Sequence, residues 1–353
     1  MRHCGYVKIS PPLRSLGLLL VLAIAALALV FQGLGTSNPH APGPRGRPES
    51  GNPNSLLRLS YDRWQVVGKP GLELGAFNQP RGVTGLADGS FVVADRSARV
   101  QHFDSSGRAI SVFTLKDHAL GNPKGLCGLP NGNLLICDTH YGRVLEMTLS
   151  GQIVKQWGGP GKEPGQFVHP LSCAVDERAG VAYVVEYGAY NDRIQKFRLD
   201  GTLIKTWGAF GSEPGQLARP SGITLDALGN VLVADAVNHR VQKFDPDGRL
   251  LLVFGAMGSE PGNLLYPYDI ACAPDGKLYV VEFNNHRVSV FTPDGKFLKC
   301  LGGPGRDLGH FYEPWSLTVD RLGRLLVSDT KNSRIQMIQV SEPHQEAQLS
   351  LVK

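Results

Sequence analysis

Six acidic residues and six arginines recur with regular spacing along the chain. Each acid ends an apolar run, and an arginine follows it a few residues later. The pairs are Asp95 and Arg99, Asp138 and Arg143, Glu186 and Arg193, Asp235 and Arg240, Glu282 and Arg287, and Asp329 and Arg334. A carboxylate beside an arginine is a candidate for proton transfer or metal binding. Because the pair is repeated six times, we interpret it instead as a structural tie between a strand end and its turn.

A second set of candidates lies where the repeated units differ. Prolines recur at positions 80, 123, 170, 220, 267 and 314, and we call them the marker prolines. The residues that follow them are Arg81, Lys124, Leu171, Ser221, Tyr268 and Trp315. Two cations on one side of a channel mouth, facing two aromatic rings on the other, are suited to an anionic or aromatic-bearing ligand, through charge and stacking.

Three further residues join this predicted ligand-binding set. Asp269 adds an acid where other units have Gly or Ser, and a two-residue insertion in the third unit adds Tyr187 and Tyr190. The full prediction is therefore Arg81, Lys124, Tyr268, Asp269, Trp315, Tyr187 and Tyr190. Ordinary surface variation is the alternative interpretation.

The histidines form no recognisable ligand pattern. His239 and His286 precede the repeated arginine, where other units have Ala, Gly, Asp or Ser, so we interpret them as turn residues. His169 stands alone before its marker proline, and no H-E-x-x-H spacing occurs. The sequence therefore gives no catalytic residue, no metal ligand and no cofactor.

The cysteines do not form a disulfide framework. Five follow the N-terminal segment, at positions 127, 137, 173, 272 and 300, and none forms a C-x-x-C motif. Most occupy apolar strand positions, which favours buried free thiols. A bridge between Cys127 and Cys137 across one hairpin is the alternative.

The elements that position these residues follow from the repeat. The marker prolines are spaced 43, 47, 50, 47 and 47 residues apart, and the acids and arginines keep the same phase. One unit contains strand-like segments at 221–225, 231–235, 240–244 and 249–255, separated by Gly-, Asn- and Pro-rich turns. Four antiparallel strands in about 47 residues make one blade. We predict an all-β fold, a six-bladed β-propeller of four-stranded antiparallel blades, over residues 60–340.

The two ends of the repeat region predict how the ring closes. The sixth unit ends with its third strand at residues 334–339, whereas Trp64 to Gly68 resembles the fourth strand of the other units. We therefore expect the N-terminal strand to complete the sixth blade and to remove an exposed sheet edge. In this arrangement the marker prolines, the acids and the arginines all lie on one face.

These motifs resemble the NHL repeat family over about residues 63–340. The segments that carry the resemblance include GSEPGQLARPSGITLD (211–226), VLVADAVNHRVQKFDPDG (231–248) and LYVVEFNNHRVSVFTPDG (278–295). Members of this family include sensor domains, protein- and RNA-binding modules, and a few enzymes. The peptidyl-amidoglycolate lyase domain of this type implies zinc on channel histidines, with a tyrosine and an arginine at the substrate. Here the pairs after the marker prolines are RG, KG, LS, SG, YD and WS, without histidine.

The N-terminal segment predicts an exported, tethered domain. Residues 1–15 are basic and precede an apolar helix at 16–34, which is long enough to cross a membrane. The positive-inside rule leaves residues 1–15 in the cytoplasm and the propeller on the extracytoplasmic side of the cell membrane, as a single-pass protein. Residues 35–59 form a Pro/Gly-rich linker and 341–353 a C-terminal tail. Secretion after cleavage of the helix is the alternative.

The charge distribution argues against a nucleic-acid partner. The net charge is +5, but residues 1–59 supply six Lys/Arg against one acid, and residues 60–340 hold 29 Lys/Arg against 28 acids. A nearly neutral domain lacks the concentrated basic face that phosphate backbones require.

We therefore favour a binding module over an enzyme. The predicted protein is a monomeric propeller that presents its loop-rich face to a protein, peptide or glycan outside the membrane. A metal-dependent propeller enzyme, similar to a peptidyl-amidoglycolate lyase or a lactonase, is the alternative.

Overall fold

Short apolar runs separated by Gly- and Pro-containing turns form six four-stranded antiparallel sheets in the computed structural model, which describes residues 64–120 and 123–342. The predicted six-bladed propeller is confirmed. The expected helix at 16–34 and the segments 1–15 and 35–59 lie outside the described residues, as does the tail beyond residue 342. Within the described ranges, no helix has the length and apolar character needed to span a membrane.

The first three blades are formed by consecutive strands. Blade 1 contains β2 (Pro80–Gly85), β3 (Phe91–Asp95), β4 (Arg99–Phe103) and β5 (Ala109–Thr114). Blade 2 contains β6 (Leu126–Gly128), β7 (Leu134–Asp138), β8 (Arg143–Met147) and β9 (Ile153–Gly158). Blade 3 contains β10 (His169–Asp176), β11 (Val181–Tyr187), β12 (Arg193–Arg198) and β13 (Leu203–Trp207).

The last three blades repeat this pattern, and the sixth uses both ends of the domain. Blade 4 contains β14 (Pro220–Leu225), β15 (Val231–Asp235), β16 (Arg240–Phe244) and β17 (Leu250–Phe254). Blade 5 contains β18 (Pro267–Cys272), β19 (Leu278–Glu282), β20 (Arg287–Phe291) and β21 (Phe297–Gly302). Blade 6 contains β22 (Leu317–Val319), β23 (Arg324–Asp329), β24 (Arg334–Gln339) and β1 (Gln65–Val67). Single 3₁₀ turns at Thr139–Tyr141 and Thr330–Asn332 follow β7 and β23.

Strand β1 closes the ring in the way that the sequence predicts. It pairs with β24 in antiparallel register, with Val66 opposite Gln336 and Val67 opposite Ile335. Val67 is buried in a cluster with Phe77, whereas Val66 is exposed. The closing strand is therefore held by side-chain packing as well as by backbone pairing.

The hydrophobic core lies between neighbouring blades. The second strand of a blade, such as β15, is buried along its whole length, whereas an outer strand such as β5 alternates between half-buried and exposed residues. One core cluster joins Val92 and Ala94 of blade 1 to Leu134 and Ile136 of blade 2. Because each blade packs on the next, the first strands are brought together around a central channel.

The turns between strands show why the repeat is rich in glycine. In blade 4 the Gly248 N–H donates to the Asp245 carbonyl at 3.0 Å. The φ of Gly248 is +84°, and a Cβ there would lie 2.6 Å from the Trp207 ring of blade 3. Glycine satisfies both constraints, the left-handed backbone and the close approach of the neighbouring blade.

A buried carboxylate organises one end of each blade, as Asp235 shows. It accepts hydrogen bonds from the Ala218 N–H at 2.7 Å and from the side chains of Asn238 at 2.9 Å, Arg240 at 2.8 Å and Gln242 at 3.0 Å. Burial raises the pKa of Asp235, and these hydrogen bonds oppose that increase. We call this carboxylate with its arginine and its other donors the blade hub.

The arginine of the hub holds the loop before the first strand. Arg240 donates to the carbonyls of Ser212 at 2.7 Å, Glu213 at 2.8 Å and Gln216 at 2.8 Å. All six predicted acid–arginine pairs form salt bridges, between 2.6 and 2.8 Å. In blade 2, Arg143 forms a second salt bridge, with Asp117 at 2.8 Å. The hub geometry supports the structural interpretation of these residues, and it places the marker proline directly opposite the acid, as in Pro220 and Asp235.

The turn before the arginine ties each blade to the next. The Tyr266 N–H donates to Nδ1 of His239 at 3.1 Å, and the Glu313 N–H donates to Nδ1 of His286 at 3.0 Å. In blade 3 the carboxylate of Asp192 accepts from the Arg219 N–H at 2.5 Å instead. In these three blades the side chain at this position supplies a hydrogen-bond acceptor, and imidazole is one way to supply it.

We predict that this tie makes stability sensitive to acid. Burial lowers the pKa of His239, and its Nδ1 must be unprotonated to accept the Tyr266 N–H. A depressed histidine pKa contributes stability that is present above the unfolded-state value and is lost as the pH falls through the folded-state value. Lowering the pH from 7.5 to 5 should remove roughly 0.5–1.5 kcal/mol of unfolding free energy from this contact.

The matched variant is His239→Asp, because blade 3 already uses Asp at the equivalent position. Urea unfolding at both pH values should show a smaller loss on acidification for the variant than for the wild type. Equal losses in the two proteins would contradict the assignment of His239 as the titrating acceptor.

Candidate functional site

The central channel contains a cavity of about 240 Å³ that the first strands of all six blades line. The residues after the marker prolines surround it, because each first strand begins within three residues of its marker proline. Among the predicted site residues, Arg81, Lys124, Tyr268, Asp269 and Trp315 all contribute to its wall. We call the end of the channel that holds the marker prolines the mouth.

Two cations lie against the Trp315 ring at the mouth. The Arg81 guanidinium lies 4.7 Å from the centre of its ring and the Lys124 ammonium lies 5.6 Å from it. The sequence predicts cations and aromatic rings on opposite sides of the channel. The structure instead brings them into contact, because Trp315 reaches the side chains of blades 1 and 2. Cation–π attraction compensates part of the cost of half-burying these charges.

Tyr268 lies beside Trp315 and is buried. Its ring is 4.8 Å from the Trp315 ring and stacks at 4.6 Å on Phe283, the residue after the hub acid of blade 5. These rings belong to the core cluster between blades 5 and 6. Tyr268 is therefore a packing residue as well as a wall of the mouth, and its removal would destabilise the propeller.

Arg219 is a third cation of the mouth. Its guanidinium lies 5.4 Å from the Tyr187 ring and 5.9 Å from the Tyr268 ring. Arg219 has φ of +53°, immediately before the marker proline of blade 4, and the bond to Asp192 fixes its backbone. The Arg219 side chain, at the start of blade 4, thus contacts one ring of blade 3 and one of blade 5. The mouth cluster comprises Arg81, Lys124, Tyr187, Arg219, Tyr268 and Trp315.

The third-blade insertion separates its two tyrosines. Tyr187 joins the mouth cluster and packs on His169 at 5.1 Å between ring centres. Tyr190 is 82% exposed and contacts Phe210 of the next loop at 5.0 Å. It does not line the cavity. Tyr190 therefore belongs to the outer part of this face.

Asp269 lies in the cavity wall and its carboxylate is fully engaged. It accepts from Ser316 Oγ at 2.7 Å and from the backbone N–H groups of Leu317 at 3.2 Å and Ile270 at 2.9 Å. Burial raises the pKa of Asp269 to about 6. Gly222 of blade 4 allows the close approach, because a Cβ there would lie 2.2 Å from the carboxylate. Asp269 therefore bridges blades 5 and 6 and carries negative charge at neutral pH.

The electrostatics of the mouth are positive. Burial, together with the charges of Arg81 and Arg219, lowers the pKa of Lys124 to about 8. Burial also lowers the pKa of Arg81. Like charges that are gathered in a half-buried site disfavour one another, so the free mouth carries an electrostatic cost.

A known repeat signature recurs in the second half of the propeller. Residues 217–244, 264–291 and 311–337 match the NHL repeat, in blades 4, 5 and 6. These matches coincide with three of the six blades of the observed propeller. The chain is a six-bladed β-propeller whose last three blades match the NHL repeat. No curated protein matches the sequence of this NHL propeller.

Solved structures share the NHL propeller's fold at low sequence identity. A virginiamycin B lyase from Staphylococcus aureus is 13% identical, with a TM-score of 0.55, over 79% of this chain and 99% of the lyase. A putative gluconolactonase is 17% identical, with a TM-score of 0.58, over 78% and 93% of the two chains. A chain of a nidogen/laminin complex is 18% identical, with a TM-score of 0.51, over 72% and 84%. Likeness at this level establishes the architecture and no activity.

Two histidines of the NHL propeller lie close together, and two cysteines line the channel. His169 lies 6.0 Å from His140 between ring centres, and its buried Nδ1 has no hydrogen-bond partner among the described residues. Cys127 and Cys173 line the cavity, and Cys127 and Cys137 are free thiols rather than a bridge. Within residues 64–120 and 123–342, no group of three or more His, Cys, Asp or Glu is arranged to hold a metal ion.

Sequence reasoning missed Arg219 and Phe283. Arg219 precedes its marker proline, where the other units have Gln, Asn, His, Tyr and Glu. That position varies as strongly as the one after the proline, and this variation was the available signal. The sequence signal for Phe283 was weaker. Phe283 follows the hub acid in a turn, and the repeat pattern does not show where a side chain in that turn points.

Proposed function

We propose that this NHL propeller is a binding module that takes a protein, peptide or glycan on its mouth face. We further propose that residues 16–34 tether it to the cell membrane, with the propeller on the extracytoplasmic side as a monomer. Secretion after cleavage of that segment remains the alternative. The observation that carries the proposal is the mouth cluster, whose residues differ from blade to blade and where three cations lie against three aromatic rings.

The contrast between hubs and mouth supports a binding role. The hub residues repeat in each blade, and their polar groups already form intramolecular bonds. They therefore have little hydrogen-bonding capacity left for a ligand. The mouth residues differ from blade to blade and their cationic groups lie on aromatic faces. Aromatic residues and arginine are the side chains that most often dominate binding energy at interfaces.

The outer part of the same face offers apolar contact area. Tyr190, Phe210 and Met257 are exposed on the loops that surround the mouth. NHL propellers commonly act as protein-interaction modules, and one chain that shares this fold comes from a nidogen/laminin complex. Both points favour a macromolecular ligand that covers the mouth and its surrounding loops.

The test is site-specific photocrosslinking in cells that express the full chain. A crosslinker at Tyr190, on the mouth face, should trap the ligand. The matched control is Leu298, which is 46% exposed on outer strand β21. Crosslinks from position 298 but not from position 190 would place the binding surface on the side of the propeller and overturn the proposal.

A second candidate is a propeller enzyme of the lyase or lactonase type. It is favoured by the unpartnered buried Nδ1 of His169 beside Tyr187, since an imidazole with a free nitrogen is suited to proton transfer. Elemental analysis of the purified full chain separates the two functions. One tightly held zinc or calcium ion per chain would favour the enzyme, whereas substoichiometric metal would favour the binding module.

A further inference from the structure

Three cations converge at the mouth without a carboxylate partner. Arg81 and Lys124 both lie against the Trp315 indole, and Arg219 lies against Tyr187 and Tyr268. Among residues 64–120 and 123–342, none of these three cations forms a salt bridge. The aromatic faces attract the charges but do not neutralise them.

The neighbouring acids are occupied elsewhere. Asp269 accepts from Ser316 and from two backbone N–H groups, as described above. Asp192 accepts from the backbone N–H groups of Arg219 and Gly188, and Glu313 pairs with Lys331 at 3.7 Å. Asp269 supplies one negative charge in the same cavity, so the three cations of the mouth keep an excess of positive charge that the folded chain does not neutralise.

A hydrogen-bond donor of Arg81 that has no partner within the described ranges also indicates a missing anionic group. Nε of Arg81 is buried and has no hydrogen-bond partner among the described residues. Buried donors are nearly always paired in folded proteins, so an orphaned one at a cavity calls for an explanation. A ligand acceptor at the mouth would satisfy it and would relieve the repulsion among the cations.

We propose that the mouth binds an oxyanion, a carboxylate, sulfate or phosphate group of the ligand, on Arg81, Lys124 and Arg219. This inference rests on the proposed binding function and specifies the chemistry of its ligand. Two guanidinium groups present planar donor pairs that match an oxyanion, and the lysine adds a compact charge.

The cavity restricts the rest of the ligand. Its wall includes the ionised carboxylate of Asp269, together with the hydroxyl groups of Ser172 and Ser221. A second negative group that entered the channel would be repelled by Asp269. The arrangement therefore selects a ligand with one anionic end at the mouth and a neutral polar part in the cavity of about 240 Å³.

The test is a titration of the full chain with sodium sulfate and with sodium acetate at constant ionic strength, followed by tryptophan fluorescence. We expect saturable binding, because Trp315 contacts two of the three cations. Lys124→Gln and Arg219→Gln should each weaken it about tenfold. The matched control is Lys299→Gln on outer strand β21, which should bind as the wild type does.

The pH dependence provides an independent readout. The charges that face Lys124 are Arg81 from blade 1 and Arg219 from blade 4, with Asp269 of blade 5 in the same cavity. Because the pKa of Lys124 is about 8, sulfate affinity should fall about three- to tenfold between pH 7 and 9.5. Lys124→Arg should retain the affinity and lose this dependence, since arginine stays charged.

The outcomes distinguish the two proposals. Tighter sulfate binding would indicate a sulfated or phosphorylated ligand and tighter acetate binding a carboxylate, and both support the oxyanion site. No saturable binding, or equal binding by Lys124→Gln and wild type, would overturn it. If crosslinking from Tyr190 still succeeded in that case, the binding function would stand with a neutral ligand.

Discussion

Replacement of Asp235 by alanine is expected to lower the free energy of unfolding by about 3–5 kcal/mol, the usual cost of removing one partner from a buried ion pair. The carboxylate is fully buried and accepts four hydrogen bonds. Its loss leaves Arg240 charged and half-buried, and leaves the Ala218 N–H without its acceptor. The change should appear as a lower urea midpoint and a lower melting temperature.

The matched control is Asp294→Ala in the next blade. Asp294 also pairs with a cation, Lys296 at 2.8 Å, but both side chains are exposed. Solvent screens exposed pairs, so this variant should unfold close to the wild type. Asp235→Glu should lie between the two alanine variants, because blades 3 and 5 use Glu as the hub acid. Similar midpoints for the two alanine variants would rule out the hub as a major source of stability.

Replacement of Val67 by aspartate is expected to open the ring. Val67 is 7% exposed and packs with Ile335 and Met337 in the core that joins blades 6 and 1. An aspartate there would bury a charge without a partner, at a cost of at least about 3 kcal/mol. Loss of strand β1 would then expose the edge of β24. Limited proteolysis should show a domain that is cleaved rapidly, beginning near β24.

The neighbouring residue provides the control for strand closure. Val66 lies in the same backbone ladder but is 44% exposed, so Val66→Asp should change the free energy of unfolding by less than about 1 kcal/mol. If Val67→Asp gives no folded protein, Val67→Ala should still fold and lose about 1–3 kcal/mol. Equal protease resistance of Val67→Asp and Val66→Asp would show that β1 is not needed to close the propeller.

The architecture was predictable because the constraints are local and repeated. Each set of marker proline, acid and arginine marks one end of one blade. Six copies with the same spacing therefore predict six blades. The unequal ends of the repeat also predicted closure, since Trp64 to Gly68 matched a strand that the sixth unit lacked. A single copy of any of these motifs would not have predicted the fold.

The mouth was predicted only in part, because its contacts join residues far apart in the sequence. The position after each proline indicated Arg81, Lys124, Tyr268 and Trp315, and the next position in the fifth unit indicated Asp269; the structure places all five in the cavity wall. It did not show that Trp315 would cover both cations, nor that Tyr268 would be buried on Phe283. Those outcomes depend on side-chain conformations across neighbouring blades, which periodicity does not encode.

The contacts of the hub were also predicted only in part. The acid–arginine pairs were evident from the sequence, but the glutamine two residues after the arginine was not included. Gln242 donates to both Asp235 and the loop carbonyl of Gln216. Its role becomes visible only when strands β15 and β16 are paired, because the two residues then lie on one face.

The position of strand β1 has a mechanical consequence. The chain that precedes Trp64 enters the propeller through a three-residue strand at the outer edge of blade 6. Any pulling force transmitted along that chain therefore acts first on the strand that closes the ring, before it reaches the other blades. Under tension the propeller should yield at its closure, and the packing of Trp64 on Phe311 and of Val67 in the core sets the load that it withstands.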